Sequence, residues 1–229
     1  MKTISLIGGM SWESSAQYYA IINRAVRERL GGAHSAEILL YSVDFGEIER
    51  LQRDGDWPSL TARMVDAASR LEAAGADFVL ICSNTMHLMA DDVSAAIGVP
   101  LLHVVDPTAA AIRQAGLSRV GLLGTALTME KAFYRDRLAA AGIETLIPDS
   151  DDRREVHRVI YEELVAGKIE AASRGAYREV IARLVERGAQ AIVLGCTEIM
   201  LLVDQSDSAV PLFDTTSLHA LAAVDLALG

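Results

Sequence analysis

Residues 71–83, LEAAGADFVLICS, and residues 184–196, LVERGAQAIVLGC, are one passage written twice. Each closes a helical pattern, turns at a glycine (Gly75 or Gly188) and enters an apolar run that ends on small, chemically capable residues. An apolar run without alternation suits a parallel strand covered on both faces. A helix, a glycine and then a strand is the punctuation of α/β winding. Two more pairs extend the match: ISLIGG at 4–9 with VGLLGT at 120–125, and VPLL at 99–102 with VPLF at 210–213. The separation between copies drifts by only a few residues, and the order is kept. The period is therefore domain-sized, a duplication and not a solenoid.

Outward from these passages the pattern continues. Apolar runs at 4–7, 37–43, 78–82, 101–105, 120–123 and 191–194 read as strands. Stretches 14–30, 59–74, 129–141, 153–166 and 177–187 read as helices, and Gly31, Gly75, Gly142 and Gly188 stand where helix C-caps belong. The expected fold is α/β: two similar lobes with mostly parallel sheets, related by a pseudo-two-fold, with the active site in the cleft between them. The expected division is 1–104 plus 215–229 for the first lobe and 105–214 for the second.

Composition narrows the function. In 229 residues, 31 Asp and Glu against 21 Lys and Arg give a net charge of −10, which argues against nucleic acid or an anionic membrane as partner. Aromatics are 5%, so Ala, Val, Leu and Ile must build the core. The opening apolar run is too short for a signal-peptide core or a span. Two cysteines without a C-x-x-C make no disulfide framework, and a cytoplasmic protein with reduced thiols is expected. Gly8-Gly9 lacks the spacing of a phosphate loop and reads as a strand-to-helix turn whose amides could meet a carboxylate. Met10 and Ser11 then line the site, with Trp12 as core. No His pair with metal-ligand spacing occurs, and no motif accompanies Lys2, Lys131 or Lys168 for pyridoxal phosphate. Neither metal nor cofactor is expected.

The duplication aligns Ser83 with Cys196 and puts Cys82 one residue out of register. Cys196 ends a strand and precedes Thr197-Glu198; Ser83 ends its counterpart and precedes Asn84-Thr85. Cys82 should point to the opposite side of its strand, as packing. Two groups related by a pseudo-two-fold suit chemistry with two faces. Racemisation is the simplest: one group takes the α-proton of an amino acid and the other returns it from the opposite side. A thiol with a pKa near ~8.5 serves once tuned, whereas a serine hydroxyl is a poor match.

At these residues the chain resembles the aspartate/glutamate racemase superfamily, over essentially its whole length. The resemblance rests on Ser83-Asn84-Thr85-Met86-His87, on Gly195-Cys196-Thr197-Glu198, on the opening Gly8-Gly9-Met10-Ser11-Trp12-Glu13-Ser14, and on Gly124-Thr125-Ala126-Leu127-Thr128-Met129-Glu130. It implies a cofactor-independent racemase of aspartate or glutamate in which Cys196 is the acid/base. Asn84, Thr85, Thr125, Thr128 and Thr197 would bind substrate, where a bare sequence reading makes such residues helix caps. Gln52, with Arg53 beside it after a strand and a short helix, and Lys168 near the second-lobe site would meet the distal carboxylate. The first cysteine of the family is Ser83 here. That departure favours the L-enantiomer and leaves a single-cysteine decarboxylase of malonate-type acids as an alternative, with a non-catalytic small-molecule binding module as another. His87 reads as a satisfied histidine beneath the site. A small acidic amino acid is the expected partner, and a homodimer through a helix such as 14–30 is a further expectation.

Overall fold

The repeated apolar runs become the central strands of two separate four-stranded sheets in the computed structural model, which describes residues 1–229. The chain divides into Met1–Val104 with His219–Gly229, and Val105–Leu218.

The first unit runs β1 Ile4–Gly8, α1 Trp12–Leu30, β2 Ile38–Ser42, α2 Phe45–Asp54, α3 Trp57–Ala73, β3 Phe78–Ile81, a 3-10 turn Thr85–Met89, α4 Ala90–Ala96 and β4 Leu101–Leu102. Its sheet order is β2-β1-β3-β4, all parallel. The second unit runs α5 Val105–Gln114, β5 Arg119–Gly124, α6 Ala126–Glu130, α7 Ala132–Ala140, β6 Glu144–Leu146, α8 Ser150–Glu162, a 3-10 turn Leu164–Ala166, α9 Ala171–Glu186, β7 Ala191–Gly195, α10 Ile199–Leu202, a 3-10 turn Gln205–Asp207 and β8 Leu212–Asp214. Its order, β6-β5-β7-β8 and again parallel, repeats the first. The last helix, α11 Thr215–Leu228, begins in the second unit and ends in the first. All three sequence repeats fall on equivalent strands: β1 with β5, β3 with β7, and the entry to β4 with that to β8.

Every residue of β1, β3 and β7 is buried, as two-sided cover demands. One face of the first sheet packs Ile7, Val79 and Ile81 against Leu60, Met64 and Leu71 of α3. The other packs Leu6, Leu80 and Cys82 against Tyr18 and Ile22 of α1 and Ala223 and Val224 of α11. In the second unit Leu123, Ile192 and Leu194 meet Val156 and Ile160 of α8 and Tyr177 and Ile181 of α9. Leu6 and Leu80 are fully buried, which is worth about 1.5–3 kcal/mol each relative to exposure. Asp44, Asp56 and Asp149 cap α2, α3 and α8 by accepting backbone N–H bonds in the first turn.

Four sequence expectations need correction. The run 101–105 gives only the two residues of β4, because Val105 already opens α5. The helix read at 129–141 is two helices broken at Lys131, whose ψ of 149° is extended. Gln52 does not follow the short helix but lies in the last turn of α2. Trp12 is 68% exposed at the start of α1 and is not core. Strands β6 and β8 were not anticipated; each has three residues, and neither is fully buried.

Candidate active site

In each sheet the chain winds first to one side and then to the other. β1 is flanked by β2 and β3, and β5 by β6 and β7. The crevice beyond the carboxyl ends of such a strand pair is where open α/β sheets hold ligands. The candidate residues other than Lys168 collect at or near these two switch points.

At the first, the chain leaves β1 through Gly9, whose φ is +92° and where a Cβ would lie 2.2 Å from the Val43 carbonyl oxygen. Only glycine fits there. Ser15 on α1 closes the turn: its hydroxyl accepts from the Gly9 N–H at 2.8 Å and donates to the Ser11 carbonyl at 2.9 Å. Ser11 caps α1, and Met10 is buried in the same apolar cluster as Met86. At the exit of β3, the Ser83 hydroxyl oxygen accepts from the Met86 N–H at 3.4 Å, while Asn84 makes no cap of its own. Asn84 and Thr85 are buried here. Gln52 reaches this turn from α2, its amide donating to Met86 Sδ at 3.3 Å, whereas the adjacent Arg53 is exposed.

His87 sits one turn beyond Ser83. Its Nδ1 donates to the Ser83 carbonyl at 2.7 Å, and its Nε2 accepts from the Val104 N–H at 3.1 Å. A carbonyl can only accept and an amide N–H can only donate, so these bonds fix one neutral tautomer. His87 is thus a strut under Ser83 and, while both bonds hold, has no ring nitrogen to spare for proton relay.

At the second switch point, β5 and β7 end side by side. A Cβ on Gly195 would lie 2.9 Å from the Leu123 carbonyl oxygen, so the residue before Cys196 must be small. Thr125 caps α6, accepting from the Thr128 N–H at 3.3 Å, and the two hydroxyls lie 3.2 Å apart. His157 of α8 supports the same turn, its Nδ1 accepting from the Ala126 N–H at 3.2 Å. Burial lowers the His157 pKa and the Glu130 charge opposes that shift, so the neutral ring that this bond needs is favoured.

Cys196 stands at the exit of β7, 7% exposed. Its thiol donates to Glu198 Oε2 at 2.9 Å, and the Thr197 hydroxyl donates to the same oxygen at 3.0 Å. Glu198 is only 2% exposed. Burial pushes the thiol pKa up, and the Glu198 carboxylate adds to this by its charge and its hydrogen bond; bonds from the Glu198 and Thr197 backbone work the other way. Full charges on both groups at 2.9 Å would repel by about 6 kcal/mol at an effective dielectric near ~20. Ionising the thiol beside a charged carboxylate is therefore costly. Lys168 is exposed beyond the 3-10 turn Leu164–Ala166 that packs on α10, with its backbone N–H on the Glu163 carbonyl at 2.9 Å.

Cys82 is fully buried among Leu6, Phe78, Leu80 and Tyr18, and burial raises its pKa far beyond the physiological range. Glu198 and His157 were absent from the residues the sequence singled out for the site. The first carries a signal, a carboxylate two residues past the strand-exit thiol. His157 carries none, since its ring arrives from a helix far along the chain. No group of His, Cys, Asp and Glu has the geometry of a metal site, and no helix is long and apolar enough to cross a membrane.

Duplicated parallel α/β units, each with polar residues at its strand exits and the second with a thiol there, define the class of protein by fold. Residues 7–223 match the Asp/Glu/hydantoin racemase family, and the chain belongs to that family. It is accordingly a racemase-family isomerase. A crystal structure from Yersinia pestis, provisionally assigned as an Asp/Glu racemase, is 55% identical with a TM-score of 0.93 and full coverage of both chains (100%). An aspartate racemase homologue from Pyrococcus horikoshii OT3 is 33% identical with a TM-score of 0.86, again over 100% of both chains. The broad specificity amino-acid racemase RacX of Bacillus subtilis (strain 168) is 26% identical over 171 residues, 74% of this chain and 73% of its own.

Proposed function

We propose that the protein racemises aspartate or glutamate without a cofactor, by removal and return of the α-proton. Cys196 is the acid/base, and Ser83 occupies the position that serves the other face of the α-carbon. Met10, Ser11, Asn84, Thr85, Thr125, Thr128 and Thr197 hold the α-carboxylate, while Gln52 and Lys168 meet the side-chain carboxylate. The observation that carries this reading is the thiol of Cys196 at the exit of β7, hydrogen-bonded to a buried carboxylate and approached by backbone donors.

An amino-acid α-proton is weakly acidic and a thiolate is a modest base. The site must therefore stabilise the developing negative charge strongly. Fixed donors such as the Thr125 hydroxyl, with the amides at the start of α1, are suited to that in a site shielded from water. With Cys82 locked in the core, a single thiol stands at a strand exit. That is also what a one-thiol decarboxylase of malonate-type acids requires, so such an acid belongs in the substrate panel.

The test is solvent-deuterium incorporation at the α-carbon, followed by NMR, across L- and D-amino acids. Exchange from aspartate or glutamate is expected in the wild type, and Cys196→Ser is expected to keep the fold and lose it. Near wild-type exchange in that variant would remove Cys196 from the reaction. Carbon dioxide release from a substituted malonate, without amino-acid exchange, would establish the decarboxylase instead.

A further inference from the structure

Glu198 is not an incidental neighbour of the thiol. It is almost wholly buried, and two hydrogen-bond donors converge on one of its oxygens, Cys196 Sγ at 2.9 Å and Thr197 Oγ1 at 3.0 Å. We propose that Glu198 is the internal proton acceptor of Cys196, so that the reactive thiolate forms by proton transfer within the pair and not by loss of a proton to solvent. The proposal rests on the racemase reading for its role in turnover, but the pair itself stands on the geometry.

Charge conservation favours this route. Ionising the thiol to solvent would place a second negative charge beside a buried carboxylate. Moving the same proton from sulfur to Glu198 breaks the S–H bond, forms an O–H bond and leaves the pair's single negative charge unchanged. The thiolate then takes the α-hydrogen, forming S–H again, and the electron pair of the C–H bond stays on the substrate. Return of a proton from sulfur to carbon restores the thiolate, which regains its resting proton from Glu198. While the substrate is deprotonated, both members of the pair hold protons, and exchange of either with water puts solvent hydrogen on sulfur. The Thr197 hydroxyl keeps the carboxylate in place for the transfer.

An internal transfer has a signature that a repulsive neighbour lacks. The fraction of thiolate it creates does not depend on bulk proton concentration. Alkylation of Cys196 by neutral iodoacetamide, located by mass spectrometry, is therefore expected to be flat between about pH 6 and 8 in the wild type. In Glu198→Gln the thiol can ionise only to solvent, and the labelling rate is expected to climb tenfold per pH unit below its new pKa. In the same variant α-proton exchange from L-aspartate or L-glutamate is expected to fall at least a hundredfold. A wild-type labelling rate that itself climbs tenfold per pH unit overturns the proposal, and this measurement needs no variant to fold. A folded Glu198→Gln that exchanges within threefold of wild type overturns it too. If the wild type exchanges no amino acid, the racemase reading fails, while the flat or sloping labelling profile still decides the Cys196–Glu198 pair.

Discussion

One step of register separates two cysteines with opposite fates. Cys82 and Ser83 leave the same strand on opposite sides, as do Gly195 and Cys196; the thiol just past β3 packs in the core, and the thiol just past β7 is the one given the acid/base role in the proposed reaction. Cys82→Ala removes a small volume from a cluster of Leu6, Leu80 and Tyr18 and is expected to cost about 1 kcal/mol, read as a lower denaturation midpoint. α-Proton exchange should stay within a few-fold of wild type. Abolished turnover, with Cys196 still labelled normally, would mean that the repeat has been aligned one residue off. At this scale the sequence was legible wherever the duplication lent it a second copy: Ser83, Cys196 and Thr125 each sit at a strand exit because their counterparts do. Glu198 was harder to see, since a carboxylate after a cysteine looks like solvated charge until its burial is known.

At the scale of elements, legibility followed length and burial. The buried strands β1, β3, β5 and β7 announced themselves as apolar runs, whereas β6 and β8 have three residues and edge positions and leave almost no pattern. Val105 misled because an apolar residue that opens a helix continues a strand pattern smoothly. The turn from β5 into α6 illustrates a support no local pattern encodes, the acceptance of the Ala126 N–H by His157. Because burial lowers the His157 pKa, the folded state holds fewer protons on this ring than the unfolded chain, whose pKa is about 6.5. Its contribution is complete above that value and is lost as pH falls through it toward the folded pKa. His157→Gln keeps a neutral acceptor that does not titrate. The drop in Tm between pH 7.5 and 5.5 is expected to be smaller in this variant than in wild type. An identical drop in both would show that the bond contributes nothing to the acid sensitivity of the fold.

For the whole molecule, the duplication is symmetric in topology but not in chemistry. Both units carry a strand exit with a polar residue, yet only the second carries a thiol there; the first carries Ser83, whose hydroxyl oxygen already accepts from Met86. Under the proposed reaction each exit serves one face of the α-carbon, and the family resemblance implies that the second-unit thiol takes the proton of the L-enantiomer. A serine hydroxyl can donate a hydrogen bond or relay a proton, but it stores negative charge far less readily than sulfur. Fast deuterium exchange is therefore expected from L-aspartate or L-glutamate, little from the D-forms, and net inversion slower than exchange. Equilibrium forbids a one-way racemase, since forward and reverse rates must balance. The asymmetry has to appear as return of the proton to the face it left. Ser83→Cys should raise exchange from the D-substrate by restoring a thiol at the first exit, with circular dichroism confirming that the variant folds. Equal initial exchange from both enantiomers in the wild type would refute this account, as would a folded Ser83→Cys variant that gains nothing on the D-substrate. The His87 strut beneath Ser83 bonds to the main chain and not to the hydroxyl, so it does not by itself oppose the replacement.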